Sequence, residues 1–302
     1  MSDEWSKEPH NNIICPGDAD YPELLEQIQS PPSQLYVRGD PGLLQMPALA
    51  IVGSRNPTEG GARNAFEFAR HLGQSGFCIV SGLAEGIDTA AHRGALAGGA
   101  ATIAFLGHGI DRVYPAANRD LAHEIAARGA LVSEFPLGTH PHKSLFPQRN
   151  RLISGISLGT LVIEAARRSG SLITARYAGE QGREVFALPG SIHNPLARGC
   201  HQLIKQGAKL VETADDIVAE LAPLATHVLQ NTLESTTNKS TAAIHGSDYQ
   251  QLKKHLSYDP IGIDELAQFS GLTIDQVSSM LLILELEGEV ESLSGGRYAL
   301  LQ

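Results

Sequence analysis

The chain has 302 residues, of which 42% are apolar and 19% charged, and a formal net charge of -10. These proportions are ordinary for a globular protein and exclude a chain that is disordered throughout. The three cysteines, Cys15, Cys78 and Cys200, are far apart and lack metal-type spacing, so we expect reduced thiols in a cytoplasmic protein. The N-terminus has no apolar segment typical of a signal peptide, and no apolar run approaches the roughly 18 residues of a membrane span.

The N-terminal residues 1–45 are polar and interrupted by prolines, including the pair Pro31-Pro32. Only the segment YPELLEQI, which starts at Tyr21, has the spacing of a short amphipathic helix. We therefore predict an irregular lead-in that packs on a larger domain.

Short apolar runs alternate with helical stretches through residues 46–223. The predicted strands are residues 48–53, 77–82, 101–107, 130–135, 160–165, 184–189 and 209–211. Short apolar strands that alternate with helices indicate a mostly parallel sheet covered on both faces, hence a doubly wound, Rossmann-like α/β domain. Gly53, Gly82 and Gly107 end three of these strands, where a ligand can approach the backbone.

The C-terminal part of the chain has a different pattern. Residues 224–256 lose periodicity and are rich in Thr, Ser, Asn and Ala, which is typical of a linker. Residues 257–302 then follow the order helix, helix, two-stranded hairpin, which predicts a small winged-helix domain.

The first candidate for chemistry is the strand end Gly53-Ser54-Arg55. Backbone N–H groups, a hydroxyl and a guanidinium at a strand-to-helix junction suit a phosphate. A plain tight turn with a surface arginine explains this tripeptide equally well. A second segment, SGLAEGIDTAAH, places Asp88 and His92 after a strand, and we favour structural roles for both.

The most informative segment is FPLGTHPHKSLFPQRNRLISGIS. It combines cations, an aromatic ring and amides, which together suit single-stranded nucleic acid because phosphates attract charge and unpaired bases stack on rings. The candidate residues are Lys143, Phe146, Gln148, Arg149, Asn150 and Arg151. Alternatively, Phe146 is a core residue under the loop. We do not expect His140 and His142 to bind a metal, because no carboxylate or cysteine accompanies them.

Two further features lie near the end of the strand 160–165. Ser171 and Thr174 begin a glycine-preceded helix, which suits an anion, although capping by Ser171 alone is about as plausible. Glu164 ends that strand and is a candidate for a general acid or base, although no second carboxylate is placed to work with it.

Taken in order, several motifs resemble those of the DNA-processing protein A (DprA, also called Smf) family of bacterial single-stranded-DNA binders. They are IVGSR, IVSGLAEGIDTAAH, AFLGHGIDRVYPAAN, SEFPLGTHPHKSLFPQRNRLISGIS, GSLITARYA and ALPGS, between Pro16 and Leu221. The winged-helix pattern resembles the C-terminal module of the same family. Many members also begin with a sterile-alpha-motif domain, for which the residues before the first strand are too few, so we expect that module to be absent.

The resemblance implies a non-catalytic protein of natural transformation (competence) that protects incoming single-stranded DNA and loads the RecA recombinase onto it. It implies a homodimer formed through the Rossmann-like domain, and neither a cofactor nor a membrane partner. Carried over to this chain, Arg55 grips phosphate, Lys143 contacts the backbone and Phe146 stacks on a base. Gln148, Asn150, Ser54 and Thr174 are secondary candidates.

The negative charge is concentrated at the two ends of the chain. Residues 1–45 have a net charge of -6 and residues 257–302 of -7, whereas residues 46–223 have a net charge of +2. A winged helix that binds DNA normally presents basic residues. This one contains a single basic residue, Arg297. We therefore expect the central domain, and not the winged helix, to bind DNA.

The alternative function is that of a Rossmann-like nucleotide hydrolase or phosphoribohydrolase. Such an enzyme would use the same strand ends on a free nucleotide, with Glu164 as the acid or base. The fold alone does not separate the two classes. The loop with Lys143 and Phe146 favours a single strand, because a pocket for one mononucleotide does not need it.

Overall fold

The computed structural model describes residues 5–226, 228, 252–257, 260–273, 277, 280–281, 284, 290–293 and 297–300. The chain divides into two compact units, Met1–Leu229 and Gln230–Gln302. No helix within the described ranges is both long and apolar enough to span a bilayer.

The first unit alternates strands and helices. Its strands are β1 (Asn11–Ile14), β2 (Leu35–Gly39), β3 (Ala48–Gly53), β4 (Cys78–Ser81), β5 (Thr102–Phe105), β6 (Ala130–Ser133), β7 (Gly159–Ile163), β8 (Glu184–Ala187) and β9 (Lys209–Leu210). Its helices are α1 (Glu23–Glu26), α2 (Glu59–Gln74), α3 (Ile87–Ala97), α4 (Arg119–Arg128), α5 (Leu145–Ile156), α6 (Ser171–Glu180) and α7 (Arg198–Lys205). Residues 214–226 are also helical.

The nine strands form one sheet in the order β1-β2-β6-β5-β4-β3-β7-β8-β9. The strands from β6 to β9 are parallel to one another. From β3 the chain winds outward through β4, β5 and β6, and then returns to place β7 on the other side of β3. The prediction of a doubly wound, mostly parallel sheet is therefore confirmed. Open α/β sheets bind their ligands where the order reverses, at the carboxyl ends of the strands.

The core explains why the parallel strands are almost uniformly apolar. In β3, Ala50 and Val52 join one apolar cluster, whereas Leu49 and Ile51 join the cluster on the opposite face. Helix α2 covers the second face with a stripe that includes Phe68 and Leu72. Because both faces are covered, neither face tolerates polar side chains at most positions.

The prediction of an irregular lead-in is wrong for two segments. β2 pairs antiparallel with β6, and β1 pairs antiparallel with β2, so both extend the main sheet. Proline-rich stretches surround these short strands and weaken their local pattern. β6 pairs with the parallel strand β5 on one side only. Its other edge provides the backbone hydrogen-bonding groups with which β2 pairs as an antiparallel strand.

The second unit contains β10 (Ile261–Gly262), α8 (Ile263–Ser270), β11 (Val290–Leu293) and β12 (Arg297–Leu300). The three strands form an antiparallel sheet in the order β10-β12-β11, which includes the predicted hairpin. Most of the predicted second helix and most of the predicted linker 224–256 lie outside the described residues. Leu252 and Leu256 are buried in the core of this unit, so the linker was predicted to end too late.

Candidate nucleic-acid interface

Phe146 lies in the first turn of α5 and packs against the end of β5. The helix begins at Leu145, and Pro147 is accommodated because a first helical turn needs no N–H at that position. A Cβ atom on Gly107 would approach Phe146 Cδ1 to 2.7 Å. The glycine after β5 therefore leaves the space that the phenyl ring occupies.

Three side chains surround the Phe146 ring. The guanidinium carbon of Arg55 lies 5.6 Å from the ring centroid and that of Arg149 lies 6.0 Å from it. The ring of Tyr114 stacks on Phe146 with 5.9 Å between centroids and 28° between planes. Arg55 is exposed and Phe146 is half-buried, so one cation and part of an aromatic pair reach the surface together.

Arg149 is buried, with 4% of its surface exposed, and this contradicts its prediction as a DNA contact. Its Nη1 donates to the carbonyl oxygens of Gly82, at 2.7 Å, and Phe105. A Cβ atom on Gly82 would lie 2.6 Å from that nitrogen, so the glycine admits the guanidinium. The hydrogen-bonding capacity of Arg149 Nη1 is therefore used at the ends of β4 and β5. The guanidinium also lies against the Phe146 ring on its buried side.

Asp88 is the buried acidic side chain that interacts electrostatically with Arg149. Its Oδ2 accepts hydrogen bonds from the N–H groups of Gly82, at 3.1 Å, and Ala84, at 3.3 Å. Burial raises the pKa of Asp88, and the charge of Arg149 and these N–H donors oppose that shift. Burial likewise lowers the pKa of Arg149 to about 10, against the opposing effect of Asp88. The prediction that Asp88 is structural agrees with this geometry.

Arg151 is also engaged within the protein. Its Nη2 forms an ion pair with Glu134, and both side chains are largely covered. Burial raises the pKa of Glu134, and the neighbouring Arg151 charge opposes the rise. The prediction of Arg151 as a DNA contact therefore does not fit, because a phosphate would have to displace a desolvated carboxylate.

The turn after β3 is built by backbone contacts. Gly53 packs against the Ile163 carbonyl and the Ile87 side chain. The Ser54 carbonyl accepts from the N–H of Ile87 at 3.0 Å, and its Oγ accepts from the N–H of Asn56 at 3.1 Å. The hydroxyl thus shapes the turn, and Arg55 is the side chain that this turn projects outward.

The remaining candidates divide by exposure. Lys143 and Gln148 are exposed on either side of the Phe146 turn. Asn150 is half-buried, and its Oδ1 accepts from Arg149 Nε at 3.1 Å. Thr174 is buried, with 1% exposed, which excludes the surface contact predicted for its hydroxyl.

Glu164 holds the N-terminus of α2. One carboxylate oxygen accepts from the backbone N–H of Thr58 at 2.7 Å, and the other from the Thr58 hydroxyl at 2.6 Å and Asn194 Nδ2 at 3.3 Å. The Glu164 backbone has a left-handed φ of 50°, which directs the side chain to these donors. The carboxylate therefore links β7 to α2.

The histidines of the predicted motifs also have local partners. His92 is fully buried, with Nδ1 2.7 Å from Thr102 Oγ1, and burial lowers its pKa to about 3. His142 Nδ1 lies 2.8 Å from Ser144 Oγ, and His140 Nδ1 lies 3.5 Å from an Arg112 nitrogen. In the described part of the chain no group of three or more His, Cys, Asp or Glu side chains could hold a metal ion.

The sequence analysis missed Tyr114 and the roles of Gly82 and Gly107 as seats for Arg149 and Phe146. Tyr114 is 48% exposed, one of the largest apolar exposures in the first unit. An aromatic residue in a polar loop after a strand-ending glycine was an available signal. Its stacking on a ring from the first turn of α5 could not be read from the sequence, because the two residues are far apart along the chain.

The fold and the site define a Rossmann-like domain that carries an exposed cation and aromatic rings at the carboxyl ends of its strands. Residues 12–222 match the family model of DNA recombination-mediator protein A, and residues 236–296 match that of the DprA winged helix domain. The chain belongs to the DNA recombination-mediator protein A (DprA/Smf) family. The winged-helix match begins inside the segment predicted as linker.

Individual relatives agree with this assignment. The chain is 41% identical to protein Smf of Escherichia coli, over 97% of this chain and 78% of that one. The X-ray structure of DNA processing protein A from Streptococcus pneumoniae superposes with a TM-score of 0.69 at 45% identity, covering 72% of this chain and 76% of that one. A structure of the Helicobacter pylori protein, described for its single-stranded DNA binding mode, gives a TM-score of 0.64 at 30% identity, covering 71% and 97%.

Proposed function

We propose that the first unit binds single-stranded DNA where β3 and β5 end, and that the protein thereby protects incoming DNA and loads RecA in the cytoplasm during natural transformation. The observation that carries the proposal is the placement of exposed Arg55 beside the Phe146 ring, with exposed Lys143 three residues before that ring. The DNA-binding mode described for the H. pylori relative supports the same ligand class.

The chemistry of the site suits a single strand more than a duplex. Arg55 and Lys143 offer positive charge to phosphates, and a ring beside them offers a face to an unpaired base. In a duplex the bases are stacked on each other and are not free to stack on a side chain. Charge and ring therefore act together only on a strand with exposed bases.

The direct test measures fluorescence anisotropy of a labelled oligothymidine. We expect the double change Arg55→Glu/Lys143→Glu to weaken binding by at least tenfold and to flatten its dependence on salt. A matched control is Arg70→Glu/Lys205→Glu, because both residues are exposed, Arg70 near the C-terminal end of α2 and Lys205 in the last turn of α7, towards the amino ends of the strands. Equal losses in both double variants would contradict the proposal.

We propose that binding involves no catalysis. Glu164, the acid or base candidate, has both carboxylate oxygens engaged by Thr58 and Asn194. A thermal-shift comparison separates the two classes: an oligonucleotide stabilises a strand-binding protein, whereas a mononucleotide stabilises a nucleotide hydrolase or phosphoribohydrolase. Release of free base or phosphate from a mononucleotide would overturn the non-catalytic assignment.

RecA loading is the part of the proposal that rests on family membership. The test is RecA-dependent ATP hydrolysis on single strands already coated with a single-strand-binding protein. We expect the protein to shorten the lag before hydrolysis, and Arg55→Glu/Lys143→Glu to lose this effect. An unchanged lag with the wild-type protein would remove RecA loading from the function.

We further propose a homodimer through the first unit. Among the residues that the structure describes, β9 is the edge strand of the main sheet, and its Leu210 is 46% exposed. An apolar side chain on an unpaired edge strand is a candidate for contact with another chain. We expect light scattering to give a dimer mass that falls to the monomer mass in Leu210→Glu. A monomeric wild-type protein would contradict this proposal.

The second unit is proposed to bind protein and not DNA. Residues 230–302 contain four basic and ten acidic side chains, a charge that repels phosphates. We expect a chain that ends at residue 229 to keep its affinity for oligothymidine within about threefold. A collapse of affinity in the truncated but folded chain would assign DNA contacts to the winged helix.

A further inference from the structure

Tyr114 is the outer ring of the aromatic pair at the proposed DNA site. Phe146, the inner ring, is half-buried, with Gly107 against it and Arg55 and Arg149 beside it. Tyr114 stacks on Phe146 and is itself 48% exposed. The more accessible aromatic surface of the pair therefore belongs to Tyr114.

Two rings hold Tyr114 in place. Phe146 lies nearly parallel to it, and the buried His108 lies edge-on with 6.4 Å between centroids and 83° between planes. His108 is itself fixed, because its Nδ1 lies 3.0 Å from the Gly109 carbonyl oxygen. A ring held by a parallel and a perpendicular neighbour loses little conformational freedom when a ligand stacks on it.

We propose that an unpaired nucleobase stacks on the exposed face of Tyr114, and that Phe146 supports this ring from the inner side. The proposal rests on the proposed single-stranded DNA function and names the side chain that receives the base. Arg55, on the same aromatic pair, then lies within reach of a phosphate of the same strand. The arrangement reads no base edge, so it takes any base that offers a π face.

A fluorescence experiment tests whether a base stacks on the ring at position 114. The chain has one tryptophan, Trp5, which is buried with 8% of its surface exposed. In Tyr114→Trp, a new indole occupies the proposed platform, and we expect saturating oligothymidine to quench most of its added emission. The wild-type protein supplies the Trp5 background, which should change little. Binding measured by anisotropy without quenching of the added emission would overturn the proposal and leave the proposed function intact.

Affinity measurements separate stacking from shape. We expect Tyr114→Leu, which keeps apolar volume and loses the ring, to weaken oligothymidine binding roughly 10-fold, or about 1.4 kcal/mol. Tyr114→Phe, which retains the ring and loses the hydroxyl, should recover most of that loss. If the leucine and phenylalanine variants bind alike, no base stacks on this ring. If the wild-type protein binds no oligothymidine, the proposed function itself fails.

Discussion

The guanidinium of Arg55 lies 5.6 Å from the centroid of the Phe146 ring. Arg55 follows β3 and Phe146 opens α5, so the contact joins the two segments that the sequence analysis selected separately. A cation beside an aromatic ring gains about 0.5–1 kcal/mol at exposed sites. This modest attraction is enough to favour an arginine conformer near the ring, and it keeps the charge proposed to bind phosphate beside the rings proposed to receive a base.

We expect replacement of Arg149 to lower the free energy of unfolding, and to change DNA affinity only through that loss of stability. Arg149→Met removes the donor to the carbonyls of Gly82 and Phe105, and it removes the positive charge that opposes the raised pKa of Asp88. We expect the free energy of unfolding to fall by roughly 1–3 kcal/mol, the cost of leaving buried polar groups unsatisfied. Urea unfolding followed by Trp5 fluorescence reports on the first unit. The double change Asp88→Asn/Arg149→Met should recover part of the loss, because it also removes the acidic group of Asp88. A stable Arg149→Met protein with weakened DNA binding would instead make Arg149 a surface contact.

The contact between Gly107 and Phe146 can be tested by one methyl group. In Gly107→Ala the new Cβ would lie 2.7 Å from Phe146 Cδ1, so the ring must move. We expect oligothymidine affinity to fall roughly 10-fold, by analogy with the loss of one stacked base. Gly179→Ala is the control, because a Cβ at that position of α6 meets no atom within 4 Å. Equal affinity in both variants would show that ring position does not matter.

Salt titration distinguishes the exposed lysine from the paired arginine. Neutralising one phosphate contact on a single strand changes the slope of log affinity against log salt by about 0.7. We expect Lys143→Gln to reduce the slope by roughly this amount. Arg151→Gln should leave the slope unchanged and lower the free energy of unfolding, because Glu134 loses its partner. A reduced slope in Arg151→Gln together with an unchanged slope in Lys143→Gln would contradict the site described above.

His92 should make the first unit less stable in mild acid. Burial lowers its pKa to about 3, against 6.5 in an unfolded chain, so the unfolded state binds the additional proton between these values. The free energy of unfolding should therefore be steady above pH 6.5 and fall as pH decreases, by about 1.5 kcal/mol between pH 6.5 and 5.

The control for this pH dependence is His92→Gln, which stays neutral and can still bond to Thr102. We expect a shallower fall in the variant over the same pH range. Some dependence should persist, because burial also lowers the pKa of His108. An identical pH profile in the variant and the wild-type protein would remove His92 as the source.

The sequence by itself determined the class of fold, and it selected the segments that form the candidate site. β3 has the bounds 48–53 that its apolar run predicted, and five of the other six predicted strands contain an observed one. The sixth, 160–165, overlaps β7, which begins one residue earlier at Gly159. Periodicity is a local property, because every strand of a parallel sheet covered on both faces must be apolar along its own length. The concentration of negative charge at the two ends of the chain could also be read from the sequence, because it requires only a count of charged residues in each region.

Only the tertiary structure decided which of the basic residues face solvent. Arg55, Arg149 and Arg151 look alike in sequence, yet the first is exposed, the second lies between the ends of β4 and β5, and the third pairs with Glu134. The partners that bury Arg149 and Arg151 come from distant segments. The same holds for β2, which is a strand because β6 offers it an edge. Burial and pairing depend on which residues the fold brings close in space, and the residues adjacent in sequence do not specify them.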